Sequence, residues 1–251
     1  MGRPRKPTCH PFTICYRFCF SLQSLNRTVN PHSSTAGTSS TRPDALLLVA
    51  SGCPHCPAVL QALGELVKAG TIGRLEVVNI GARPDIAQQL GVRSVPWVRL
   101  GPFELEGLHS LAELEHWSER AGTAQGLAEY FAELFKTGKI RKAIRLIADD
   151  ESRLDVLLLL LSDNETELQV RIGIGALLEE FEGEPRLTRL IEGLGRLTAH
   201  DNPRIRSDAC HFLALTRDPD ALPLIRPLLS DPDDQVREVA RDSLEHIAAP
   251  N

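Results

Sequence analysis

Two hydrophobic periods follow one another along this chain. Residues 45–50 are an apolar run of strand length, Ala45-Leu46-Leu47-Leu48-Val49-Ala50, closed by the small turn Ser51-Gly52. Apolar positions then recur at Val59, Leu60, Leu63, Leu66 and Val67, which predicts a helix over 54–69. Its prolines, Pro54 and Pro57, are placed in the first turn, where a backbone N–H is spare anyway. Residues 74–80 predict a second strand and 84–90 a short helix ended by Gly91. Residues 95–100 predict a strand with proline near its start, and 103–106 its hairpin partner across Gly101-Pro102. Residues 110–120 close the series as a helix with Leu111, Leu114 and Trp117 on one face. Strands alternating with helices, then a hairpin, predict a mixed α/β sheet flanked by helices.

From residue 124 the strand signals stop and helical hairpins recur. Glu167-Leu168-Gln169-Val170-Arg171, Asn202-Pro203-Arg204-Ile205-Arg206 and Asp233-Asp234-Gln235-Val236-Arg237 align. Their arginines are spaced 35 and 31 residues apart, and each segment follows a polar turn. Helix pairs repeating near this period are the signature of a solenoid. The stretch from Leu222 to Ala240 resembles a HEAT repeat of the short bacterial kind, and the earlier copies match it more loosely. Residues 124–149 are expected to add one more helix pair bridging the two regions. Arg171, Arg206 and Arg237 are expected to brace neighbouring repeats against turn aspartates such as Asp163 and Asp231.

Composition narrows the function classes. Aromatic residues make up 5% of the chain and the net charge is −5, which argues against a nucleic-acid binder. The longest apolar run, 156–161, is far short of the ~18 residues of a membrane span. Residues 1–42 are rich in Arg, Pro, Ser and Thr. They read as a disordered tail or as sequence upstream of the true start. The apolar stretch 12–22 is broken by Arg17 and makes a weak secretory signal, so the cytoplasm is the expected compartment. The expected domains are therefore this tail (1–42), an α/β domain (43–121) and an all-α repeat domain (122–251).

Six cysteines are present, and two of them carry the chemistry. Cys53 and Cys56 sit between the first strand and its helix, at a helix N-terminus. There, spare N–H groups and the helix dipole stabilise a thiolate, the species that attacks disulfides. Cys53 is the candidate nucleophile. Cys56, nearer the helix body, is the candidate resolving thiol, since the two-residue gap lets it return on Cys53. Pro54 and His55 lie between the sulfurs as candidate tuners of the redox couple, and a protonated His55 favours thiolate. The competing reading of the pair is half a zinc site, but no second ligand pair follows at suitable spacing. No metal or organic cofactor is expected beyond the redox-active cysteine pair. Cys9, Cys15 and Cys19 receive no catalytic role, and Cys210, among Ala209, Phe212 and Leu213, reads as a buried inert thiol. Trp97 is expected at a core edge.

The order strand, Cys-Pro-His-Cys, helix, strand, helix, then Gly91-Val92-Arg93-Ser94-Val95-Pro96 and a strand resembles the thioredoxin family over about 80 residues. Gly107 before the closing helix fits the same pattern. Locally, Cys56-Pro57-Ala58-Val59-Leu60 resembles the glutaredoxin-like domain attached to the flavoprotein subunit of alkyl hydroperoxide reductase. Cys-Pro-His-Cys itself is similar to periplasmic disulfide oxidants of the DsbA type. The resemblance implies a cis Pro96 lying against the sulfurs, with Val95 offering its backbone to a substrate chain. It implies a thiol–disulfide oxidoreductase acting on a protein disulfide or dithiol, with the repeats holding a protein partner. One departure stands out: the position six residues before the first cysteine, a buried carboxylate in many thioredoxins, is Leu47. The alternative is an adaptor whose repeats bind a partner while the cysteine pair senses redox state. A metal-binding or metal-delivering protein is a third reading, resting on the cysteine pair alone.

Overall fold

The computed structural model describes residues 42–249. Its first part alternates β1 (Asp44–Val49), α1 (Cys56–Ala69), β2 (Arg74–Asn79), α2 (Pro84–Gln89), β3 (Trp97–Leu100), β4 (Phe103–Glu106) and α3 (Leu111–Arg120). The four strands form one mixed sheet in the order β2-β1-β3-β4, with β1 parallel to β2 and antiparallel to β3. Because side chains alternate across a strand, each face has its own set. Leu47, Val98, Leu100 and Leu105 face the core and pack with Val59, Leu63, Leu66 and Leu114 of α1 and α3. Leu48 and Trp97 pair on the opposite face, beside Glu104 and Glu106.

Helix ends follow their local chemistry. Ser110 and Glu113 form a reciprocal capping box that starts α3. α1 begins at Cys56 with His55 as N-cap, so Pro54 lies just outside the helix while Pro57 occupies its first turn. β3 likewise starts at Trp97, not at Val95, since Pro96 has no N–H to give to a ladder.

The second part is helical: α4 (Ala124–Lys136), α5 (Ile140–Asp149), α6 (Asp155–Ser162), α7 (Leu168–Glu180), α8 (Ile191–Leu197), α9 (Pro203–Leu215), α10 (Leu222–Ile225) and α11 (Asp234–Ala248). The three aligned sequence segments are the starts of α7, α9 and α11. Asn202 and Asp233 cap the last two with side-chain oxygens. These second helices stack on one another, α7 on α9 and α9 on α11. The first helices are shorter than the repeat pattern predicts. Residues 185–190 and 226–230 are 3-10 turns, and α10 is a single turn, since Pro227 has no N–H with which to carry its ladder onward.

α4 and α5 join the two parts. α4 packs on α6 and α7, and Gly173 of α7 lies so close to Phe135 of α4 that a Cβ there would sit 2.6 Å from the ring. Toward the sheet, Phe103, Trp117 and Tyr130 form an aromatic triangle with centroids 4.9–5.7 Å apart. Tyr130 also covers the free edge of β4. Its hydroxyl accepts from Glu104 N–H at 3.0 Å and donates to Glu104 C=O at 2.9 Å, standing in for a fifth strand. One buried apolar cluster consequently runs from the sheet through α4 to α11.

Candidate active site

β1 delivers the chain to the end of the sheet, and Ser51-Gly52 turns it. Cys53 N–H donates to Ala50 C=O at 3.2 Å, and the Asn79 amide at the end of β2 donates to Ser51 Oγ at 3.3 Å. These bonds hold the loop that starts α1. Cys53 is half-buried and Cys56 is buried, and the two form a disulfide. Cys56 N–H points at Cys53 Sγ from 3.2 Å. An N–H directed at sulfur from the start of a helix favours negative charge on Cys53 when the pair is reduced.

The segment before β3 meets the same sulfur. Cys53 Sγ lies 3.7 Å from the carbonyl oxygen of Val95, and the Val95–Pro96 peptide bond is cis. Pro96 C=O accepts from Gly107 N–H at 2.9 Å, where Gly107 adopts φ +94°, a conformation that suits glycine. Leu108 follows with 55% of its surface exposed, and Leu60 on α1 is also exposed. His55 and Pro54 are exposed beside the sulfurs. Leu47 is fully buried in the core under α1, so the position of the family's carboxylate is apolar here. Among the described residues neither sulfur has an ionisable side chain as hydrogen-bond partner.

The other singled-out residues fall away from this centre. Trp97 is 3% exposed and lies on the second face of the sheet. Cys210 is buried in α9 beside Ser243 Oγ, and burial pushes its thiol up to about 11. Cys9, Cys15 and Cys19 lie outside the described residues. Two of the three aligned arginines, Arg171 and Arg206, brace neighbouring repeats, Arg171 through a different partner from the one expected, whereas Arg237 ties down only its own turn. Arg206 makes a bidentate pair with Asp231 at 2.7–2.8 Å and also donates to His200 and Asp201 carbonyls. Arg237 binds the Asp231 carbonyl at 2.6 Å and the side chain of Asp234. Arg171 is buried and pairs with Asp208 on the next repeat, not with Asp163, which caps its own turn through Glu165 N–H. Among the described residues no three His, Cys, Asp or Glu side chains gather as metal ligands, and no helix is long and apolar enough to cross a membrane.

Periodicity did not point to a cleft of about 360 Å³ between the segment 90–94 and the start of α5, floored by Trp97. Its lining pairs residues some 50 positions apart, and the one signal in the sequence was the basic cluster Lys139, Arg141, Lys142 and Arg145.

Residues 45–119 match the family model of the thioredoxin domain, and residues 154–245 match that of HEAT repeats. No curated protein matches the chain. The protein thus carries a thioredoxin domain followed by HEAT repeats, as the strand–cysteine–helix order and the arginine spacing led us to expect.

Proposed function

We propose that the protein is a thiol–disulfide oxidoreductase whose HEAT repeats hold the protein it acts on. The observation that carries this reading is the position of Cys53 Sγ. It is half-exposed at the start of α1, 3.2 Å from Cys56 N–H and 3.7 Å from Val95 C=O. In the reducing direction the Cys53 thiolate attacks one sulfur of a substrate disulfide. One S–S bond forms, one breaks, and the departing substrate thiolate takes a proton from water. Cys56, as thiolate, then attacks Cys53 Sγ and releases the second substrate thiol. Two electrons have passed to the substrate, and Cys53–Cys56 is oxidised. A dithiol donor must return it to the reduced state, and the oxidising direction runs these steps in reverse. Val95, with Pro96 beside it, offers its backbone to the extended substrate chain, while Pro54 and His55 tune the couple. The cysteine pair is the only redox group the reaction requires.

A second reading draws on Leu47. With an apolar side chain where a proton acceptor for the resolving thiol is expected, the pair would serve as a slow redox sensor on a repeat-based adaptor. Equilibration with glutathione or dithiothreitol separates the readings. A potential near −270 mV marks a thioredoxin-like reductant, and one near −120 mV an oxidant. Fast exchange lost in Cys53→Ser supports the enzyme, whereas exchange no faster than that of a free thiol supports the sensor.

A further inference from the structure

The cleft beside the Cys53 site joins both parts of the molecule. One wall is the segment 90–94 leading into Val95 and Pro96; the other is the first turn of α5. Its lining holds five cations and two carboxylates, an excess of positive charge in a chain whose net charge is −5. The carboxylates are already engaged. Glu104 is bound by Arg145 at 2.7 Å and Lys142 at 3.2 Å, and Glu106 by Lys142 at 3.0 Å. Arg93 and Arg141 have no acidic partner among the described residues. α5 starts without a side-chain cap and without an acidic residue in its first turn, so its dipole adds to the positive field.

We propose that this cleft docks an acidic segment of the substrate protein and leads it past Ser94 to Cys53. The inference rests on the exchange reading above and names the substrate class. Carboxylates pair with Arg93 and Arg141 at the rim and with the start of α5, while apolar side chains meet Leu90 and Val92. Ser94 in the cleft wall adjoins Val95, whose carbonyl is 3.7 Å from Cys53 Sγ, so this wall runs on along the backbone into the segment that meets the sulfur. A protein chain fits this surface better than a nucleic acid does. The one aromatic ring in the floor, Trp97, is 3% exposed and presents no face for a base to stack on.

The test uses the full chain and fluorescein-labelled hexaglutamate and hexalysine peptides, followed by anisotropy. Hexaglutamate should bind, hexalysine should not, and binding should weaken as salt rises. The double variant Arg93→Glu with Arg141→Glu should weaken hexaglutamate about tenfold. Arg226→Glu, an exposed charge reversal on the repeats, should leave it unchanged. Equal loss in both variants, or equal binding of both peptides, overturns the proposal. So does equally tight binding of labelled oligothymidylate. Exchange rates with nitrothiobenzoate mixed disulfides of an acidic and a neutral peptide separate this inference from the function it rests on. An acidic preference that disappears in the double variant supports the cleft. Exchange without preference overturns the cleft and keeps the enzyme, while hexaglutamate binding without exchange keeps the cleft and overturns the enzyme.

Discussion

Tyr130→Phe isolates one of the bonds that hold the helices to the sheet. Tyr130 is 3% exposed and touches both backbone groups of Glu104 on the free edge of β4. Phenylalanine keeps the ring and its contacts with Phe103 and Trp117 but removes the oxygen. Glu104 C=O keeps Lys142 Nζ at 3.0 Å, whereas Glu104 N–H loses its partner. Leaving one buried donor unpaired costs about 1–3 kcal/mol, so we expect a loss of about 2 kcal/mol. For a protein of this size that lowers Tm by about 4–8 °C. The assay is urea unfolding followed by far-ultraviolet circular dichroism, with a thermal scan alongside. Burial pushes the Tyr130 phenol above its ordinary value. The neutral form is the one that donates, so its contribution is complete below pH ~10 and declines as pH rises beyond that. The wild-type advantage over Tyr130→Phe should therefore shrink only in strong alkali. A loss below about 0.5 kcal/mol at neutral pH would refute the edge-capping argument, because that is less than one net hydrogen bond.

Three further outcomes follow from the repeats. The Arg206 hydrogen bonds hold the Asp231 carboxyl below its usual range. That stabilisation is present above pH ~3.9 and lost as pH falls through the lowered value, so Asp231→Asn should cost about 1–2 kcal/mol at pH 7 and progressively less in acid. Gly173→Ala places a methyl against Phe135 and should destabilise by about 1–3 kcal/mol in urea unfolding, with α4 rather than the sheet perturbed in NMR spectra. Cys210, with its thiol pushed up to about 11 by burial, should resist iodoacetamide at pH 8 in the native protein and react on unfolding, read from its tryptic peptide by mass spectrometry.

The readable parts of this sequence are those governed by near neighbours. Leu46 to Val49 forms a strand, Val59 to Leu66 a helical face, and Phe103 to Glu106 a hairpin across Gly101-Pro102, each from a local period. The repeats could be aligned because one residue type recurs at the start of each second helix. Pro227, which stops α10 after one turn, was equally visible, but the repeat pattern outweighed it. Partners distant in sequence were not readable. Arg171 could have met Asp163 or Asp208, and only the stacking of α7 on α9 chooses. Tyr130 on Glu104 spans 26 residues, and no period announces it. The cleft is hidden for the same reason, since its two walls come from different parts of the chain.

The central claim is that Cys53 attacks and Cys56 resolves. The most direct measurement is covalent trapping. Reduced Cys56→Ser protein is mixed with an unfolded disulfide-bonded protein and run on a non-reducing gel. Our account predicts a mixed disulfide through Cys53 that persists in Cys56→Ser, is cleared in wild type and is absent from Cys53→Ser. Trapping through another cysteine, or none in Cys56→Ser, would contradict it.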